Sequence, residues 1–232
     1  MRSSLPESGN PAVPAAHDLP AVVFDLGNVL IDWNAHAAIS AEVGDERATV
    51  FLADLTFDFF GWNAAQDAGR TWAQGESAAL ATHPHYREEI LAYRAHFGRS
   101  LVGPIDGVVE ILRELHSSAV PLFALTNWSF ELFPVARERF DFLQLFDDIV
   151  VSGEEGLAKP DPAIFALLAE RMQDSWHRMP AVFVDDRMDN VAAANTAGMD
   201  GLLYTEPDKL RDDLAVRGLV REQPLRATVR TV

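Results

Sequence analysis

Three aspartates and a threonine stand where short apolar runs of this sequence stop, and a lysine stands before a helix start. Asp25 ends the run from Ala21 to Phe24. Thr126 and Asn127 follow the run from Val120 to Leu125, and Asp185-Asp186 follows the run from Ala181 to Val184. Lys159 lies just before a helix start at Asp161-Pro162. Gathered in one volume, the three carboxylates would raise one another's pKa unless a cation intervened. Hard oxygen ligands of that kind favour Mg²⁺, which keeps several waters and pairs with phosphate. Lys159 adds a second positive charge, worth about 4 kcal/mol against a carboxylate 4 Å away at an effective dielectric of 20, before desolvation. Thr126 offers a hydroxyl, and the turns after the strands offer N–H groups to an anion. Such donors stabilise a phosphoryl group in transfer, and an aspartate among them can serve as a covalent nucleophile.

Residues so far apart can meet only if the chain folds to bring the ends of those runs together. The four runs, including Ile149–Val151 before Ser152, lack alternation, as strands buried on both faces do. Helical patterns lie between them. Val108, Ile111, Leu112 and Leu115 repeat on one helix face. Asp161 caps a second helix whose first turn holds Pro162. Residues 188–198 form a third helix closed by Gly198, and Leu202-Leu203-Tyr204 and a helix near 207–217 complete the series. Strands alternating with helices predict an α/β fold with a mostly parallel sheet, whose strand ends share one ligand-binding edge.

One stretch breaks this rhythm. Residues 34–103 show helical composition and many aromatics, among them Phe51, Phe57, Phe59, Phe60, Trp62, Trp72, Tyr86, Tyr93 and Phe97. This reads as a small inserted helical domain, with Gly103-Pro104 as its return linker. Its aromatics are expected chiefly to form its own core, some of them also facing the substrate as a cap closes over a cleft, while Trp33 and Trp128 are expected to face the cleft. Residues 1–19 are read as a flexible tail, and 221–232 as a C-terminal tail.

Composition narrows the function classes. The chain has 232 residues, no Cys, 19 Lys+Arg and 35 Asp+Glu, for a formal net charge of −16. Disulfide scaffolds, Cys-ligated metals and a Cys nucleophile are excluded. The acidic surface repels phosphate backbones, so no nucleic-acid partner is expected. No apolar run reaches the roughly 18 residues of a membrane span. With no secretory signal pattern before Pro20, a cytoplasmic address and no membrane partner are expected. Nothing in the pattern speaks to oligomeric state.

Phe24-Asp25-Leu26-Gly27-Asn28-Val29, Leu125-Thr126-Asn127, Lys159-Pro160 and Val184-Asp185-Asp186 resemble, in order, the four motifs of the haloacid dehalogenase-like (HAD) hydrolases. The run from Gly156 to Phe165 is an especially close match, and the resemblance covers about residues 20–217. It implies a Rossmann-like core over 20–33 and 104–220, with an α-helical cap over 34–103. It implies Asp25 as the nucleophile of an aspartyl-phosphate route, with Thr126, Asn127 and Lys159 holding the phosphoryl oxygens. It implies Mg²⁺ bound by Asp25, the Gly27 carbonyl and Asp186, with Asp185 orienting its waters. Asn190 stands four residues beyond Asp186, where many relatives carry another Asp. The implied reaction is hydrolysis of a small phosphomonoester, a sugar phosphate being one option.

Gly27 departs from the usual pattern, in which an Asp two residues after the nucleophile protonates the leaving alcohol. Acid–base help of that kind is worth about 10²–10⁴ in rate. A subgroup of phosphatase-like members with a similar Asp-Leu-Gly-Asn-Val motif shares the departure. A better leaving group, a water or another side chain is expected to substitute, His36, His83 and His85 being candidates for the last. Asn34 and Asp67 stand alone and receive no role. Two alternatives follow from Gly27. One is a 2-haloacid dehalogenase, which needs no leaving-group acid but leaves Asp185-Asp186 without purpose. The other is a binding module that has lost turnover.

Overall fold

The computed structural model describes residues 19–172 and 181–221. The expected tails therefore lie, apart from Leu19 and Arg221, outside the described residues. Five strands form one parallel sheet in the order β5-β4-β1-β6-β7. They are β1 (Val22–Phe24), β4 (Leu122–Thr126), β5 (Asp148–Val151), β6 (Val182–Asp185) and β7 (Asp200–Leu203). The α/β expectation holds, and each expected apolar run overlaps a strand.

Both sheet faces are apolar, and alternate residues divide between them. Val22, Phe24, Leu122, Ala124, Val151, Val182 and Val184 join one cluster. It includes α7 (Asp106–Ser117) and α12 (Pro207–Val216). Val23, Phe123, Leu125, Val150 and Phe183 join the other. That side is covered by α10 (Pro162–Met172) and α11 (Met188–Thr196). The α7 face predicted from spacing is fully buried: Val108, Ile111, Leu112 and Leu115 each show 0% exposure. Each such side chain contributes about 1.5–3 kcal/mol of gross burial energy. Asp161 caps α10 as expected, its Oδ1 accepting from Ala163 N at 2.9 Å.

Between the first two sheet strands in sequence lie α1 (Ala35–Val43), α2 (Asp45–Ala53), α3 (Phe59–Asp67), α4 (Trp72–Thr82), α5 (Arg87–Ala95) and α6 (Phe97–Ser100). Their aromatics pack on one another: Trp62 meets Trp72 at 5.3 Å between ring centroids, and Phe59 meets Tyr93 at 5.1 Å. The segment is bracketed by an antiparallel pair, β2 (Ile31–Trp33) and β3 (Leu101–Pro104). No strand was expected there. β3 has only four residues and buries only Leu101 fully, so it carries no continuous apolar run.

The helical segment is fastened to the core. Trp72 Nε1 donates to Ser129 Oγ at 2.9 Å, and Trp72 N to Glu131 Oε1 at 2.8 Å. Ser152 Oγ, opening α9 (Ser152–Glu155), donates to the Asp67 carbonyl and accepts from Trp128 N at 2.9 Å. Gly153 permits this approach: a Cβ there would lie 2.6 Å from Phe130 N and 2.7 Å from the Trp128 carbonyl. No helix among the described residues is long and apolar enough to cross a membrane.

Candidate active site

The parallel register sets β1, β4 and β6 side by side, with Phe24 opposite both Ala124 and Val184. The residues after those strands therefore meet at one edge. Asp25 N donates to the Val184 carbonyl at 2.8 Å, which places Asp25 next to Asp185. The chain then turns sharply. Asn28 adopts φ 56, a left-handed conformation that Asn tolerates better than most residues, and its Oδ1 accepts from Trp33 N at 3.3 Å.

Lys159 is the hub. Its ammonium donates to Asp25 Oδ1 at 3.0 Å, to Asp185 Oδ2 at 2.7 Å and to the Leu125 carbonyl at 2.7 Å. Three donors thus have three acceptors, and the side chain has no exposed surface. Burial pulls the Lys159 pKa down, but Asp25 and Asp185 outweigh burial and leave it above its ordinary value.

Asp25 Oδ1 also accepts from Leu26 N at 2.7 Å. Its Oδ2 has no hydrogen-bond partner among the described residues, so one oxygen is anchored and the other is free. Burial pushes Asp25 up to about 7; Lys159 opposes this and Asp185 adds to it.

Asp185 is fully consumed by protein partners. Beyond Lys159 it accepts from Asn190 Nδ2 at 3.0 and 3.1 Å and from Arg187 N at 2.9 Å. Asn190 therefore braces Asp185. Asp186 differs: no side chain donates to it among the described residues, and it faces a cavity. Burial raises its pKa, and Asp185 adds to the rise.

That cavity has a volume of about 380 Å³. Asp25, Gly27, Asn127, Lys159 and Asp186 line its floor, while Trp33, Phe60, Trp72, Tyr93, Phe97 and Trp128 form its walls. Trp33 and Trp128 thus face the cleft as expected. Some helical-segment aromatics do both, as expected: Trp72, Tyr93 and Phe97 are buried yet line the cavity, and Phe60 stands at its wall with 56% of its surface exposed.

Other sequence-picked residues take different places. Asn127 clamps the lysine backbone: its Oδ1 accepts from Lys159 N at 2.8 Å and its Nδ2 donates to the Lys159 carbonyl at 2.9 Å. Thr126 is buried at the end of β4 and is not among the cavity-lining residues. None of His36, His83 and His85 lines the cavity. His36 instead meets the Asp45 carbonyl and Thr49 Oγ1, and His83 and His85 stack beside Phe57 and Tyr86. Asn34 caps α1 by accepting from His36 N at 3.0 Å. Asp67 does line the cavity, and nothing in its sequence neighbourhood announces this. Burial pushes its pKa up to about 8.

The donor set fits a divalent cation. One carboxylate oxygen from each of Asp25, Asp185 and Asp186 lies within 4.8 Å of the others, against the single ammonium of Lys159. Asp186 and the free oxygen of Asp25 are available as hard ligands, whereas Asp185 is already satisfied. The Gly27 carbonyl accepts no hydrogen bond among the described residues, because the local pairing uses the Leu26 and Ile31 carbonyls.

Comparison with known proteins agrees with this architecture. The model of the haloacid dehalogenase-like hydrolase family matches residues 19–198. Sesquiterpene phosphatase astK of Aspergillus oryzae is 28% identical over 211 residues, covering 86% of this chain and 96% of the relative. A phosphoglycolate phosphatase of Cereibacter sphaeroides is 28% identical over 192 residues, covering 81% and 86%. Among solved structures, a HAD family enzyme of Bacteroides thetaiotaomicron superposes with a TM-score of 0.63 at 20% identity, over 81% of this chain and 94% of that one. That enzyme has also been solved with magnesium and inorganic phosphate.

Proposed function

The chain belongs to the haloacid dehalogenase-like hydrolases, and from that premise we propose that it is a Mg²⁺-dependent phosphatase of small phosphomonoesters. It falls in the phosphatase-like subgroup with an Asp-Leu-Gly-Asn-Val first motif. Residues 20–33 and 104–220 act as the Rossmann-like core, and 34–103 as the helical cap that closes over the substrate. One observation carries the reading: Asp25 holds one oxygen against Lys159 and Leu26 and leaves the other free on the cavity floor.

Asp25 Oδ2 attacks the phosphorus, and the ester oxygen departs with its bonding electrons. Water then attacks the phosphorus of the aspartyl-phosphate and releases inorganic phosphate. Lys159 orients Asp25 throughout and offsets phosphoryl charge. Asn127 serves the site through its grip on the Lys159 backbone. Asp25, the Gly27 carbonyl and Asp186 would hold Mg²⁺, and Asp185 steadies Lys159 and the turn to Asp186. When bound, Mg²⁺ supplies positive charge to offset the carboxylates and the phosphoryl oxygens.

The cavity walls argue for a substrate with an apolar or aromatic body. Six aromatic rings surround a volume large enough for a small organic molecule. The phosphatase of Aspergillus oryzae is named for a sesquiterpene, an apolar skeleton of this kind.

Dehalogenation is disfavoured by the three carboxylates around a single ammonium, which call for a further cation. Phosphate release would be measured from prenyl, aryl, sugar and glycolate monophosphates, with Mg²⁺ and with EDTA. Mg²⁺-dependent release that Asp25→Asn abolishes supports the reading. Halide release from 2-haloacids without metal, and no phosphate release, would overturn it.

A further inference from the structure

An alkyl phosphate leaves as an alkoxide unless a proton reaches the ester oxygen, and residue 27 is a glycine without a side chain to deliver one. A side chain that delivers the proton would therefore have to come from elsewhere in the cavity. Asp25 is needed as the nucleophile. Asp186 belongs to the cation site. Lys159 already donates to three acceptors. Arg187 is held by Asp189 through Nε and Nη2, at 3.1 and 2.8 Å. The Tyr93 hydroxyl accepts from Trp33 Nε1 at 3.2 Å, and burial drives its pKa above the ordinary tyrosine value. Among the described residues that line the cavity, one titratable side chain is left.

We propose that Asp67, the last residue of α3, is the general acid and base of this site, performing the proton transfers that Gly27 cannot. The assignment rests on the phosphatase reading above. Asp67 lines the same cavity as Asp25, and the two carboxylates sense each other's charge. Its position is fixed from both sides. Asn63, one turn earlier on α3, donates Nδ2 to Asp67 Oδ2 at 2.8 Å. Ser152 Oγ from the core holds its backbone carbonyl, and the Ser129 backbone N–H reaches its carboxyl. A carboxyl so placed joins the helical segment to the core and lines the cavity that Asp25 also lines.

Burial keeps this carboxyl protonated near neutrality, with a pKa of about 8, whereas an ordinary aspartate would be ionised. The charged groups that share its cavity are Asp25, Asp186, Lys159 and Arg187, with the Tyr93 hydroxyl beside them. The proton ledger closes. As the phosphorus–oxygen ester bond breaks, the leaving oxygen keeps the electron pair and takes the Asp67 proton, forming the alcohol. Asp67, now a carboxylate, takes a proton from the water that attacks the aspartyl-phosphate. The Asp25–phosphorus bond breaks, returning Asp25 to carboxylate and Asp67 to acid.

The test compares two substrates of the full-length enzyme with Mg²⁺. One is an alkyl phosphate; the other is nitrophenyl phosphate, whose phenolate departs unprotonated. Asp67→Asn should lower kcat/KM for the alkyl phosphate by about 10²–10⁴-fold and for the nitrophenyl ester by less than about 10-fold. Gly27→Asp added to Asp67→Asn should restore much of the alkyl-phosphate rate, because a Cβ at Gly27 meets nothing within 4 Å. Equal losses on both substrates, or no loss on either, would overturn the assignment. The wild-type enzyme gives a second reading that needs no variant. Its alkyl-phosphate rate should fall above pH about 8 relative to its nitrophenyl rate, since Asp25 and Asp186 act on both substrates alike. Superimposable pH profiles would overturn the assignment too. A wild-type enzyme that hydrolyses neither ester would instead overturn the phosphatase reading itself.

Discussion

Lys159 Nζ lies 3.0 Å from Asp25 Oδ1, and the same ammonium lies 2.7 Å from Asp185 Oδ2. One buried cation therefore stands between two carboxylates that would otherwise repel. The arrangement orients Asp25 and makes the site intolerant of losing the lysine.

Lys159→Met should cost about 3–5 kcal/mol of folding stability, because it strands carboxylate charge in a buried site. Asp25→Asn should cost far less, since it removes one of the competing acids. Urea unfolding of the two variants checks this. Comparable losses would mean that Lys159 needs the Asp25 carboxylate as its partner, and that Asp25 is not a competing acid in this site.

Asn127→Ala should lower stability by about 1–3 kcal/mol, since it removes both hydrogen bonds that hold the Lys159 backbone. It should lower kcat more than it raises KM, because it displaces a group that orients Asp25. Steady-state kinetics beside urea unfolding separate the two effects. A change in KM alone would assign Asn127 to substrate binding, as first expected from sequence.

Mg²⁺ should raise the Tm of the wild-type protein, because it binds the folded site and not the unfolded chain. Asp186→Asn should remove most of that rise while leaving the metal-free Tm little changed. Differential scanning calorimetry with and without Mg²⁺ reads both. An unchanged Mg²⁺ shift in the variant would remove Asp186 from the metal site.

Stability should also depend on pH through Asp67. Its unfolded pKa is close to the ordinary 3.8, and its folded value is about 8. Between those values the folded chain holds a proton that the unfolded chain has released. The Asp67 contribution to stability is therefore fullest below pH about 4 and is lost as pH rises to about 8, by at most about 1.4 kcal/mol per unit. Asp67→Asn abolishes this slope, so its stability relative to wild type should improve from pH 5 to pH 8. Urea midpoints that shift equally at both pH values would contradict the prediction.

Much of this arrangement was legible before the fold was seen. The strand-end acids stood out because a buried run that stops at Asp leaves the carboxylate at the sheet edge. The α7 spacing named its buried face correctly. Asp67 was not legible. It ends a helix with no neighbouring signal, and its environment is built by Ser129 and Ser152, far away in sequence. Asn127 was read as a substrate ligand; the two hydrogen bonds that it makes to the Lys159 backbone could not be read from sequence. The β2–β3 pair escaped because a short, half-exposed ribbon has neither a buried run nor clean alternation.

Phe60, exposed at the cavity wall, should set preference for the substrate body. Phe60→Ala should raise KM for prenyl or aryl phosphates about 10-fold, the loss of roughly 1–2 kcal/mol of apolar contact. Small phosphates that reach only the floor should be unaffected. A uniform change across the panel would place Phe60 outside the substrate's path.

The central claim is that Asp25 takes the phosphoryl group, and trapping tests it most directly. The enzyme would be mixed with substrate and Mg²⁺, quenched during turnover, reduced with borohydride and mapped by mass spectrometry. Reduction of an aspartyl-phosphate yields homoserine, so position 25 alone should carry that change, and only when substrate was present. Phosphate release with an unmodified Asp25, or with the change at another aspartate, would contradict the account.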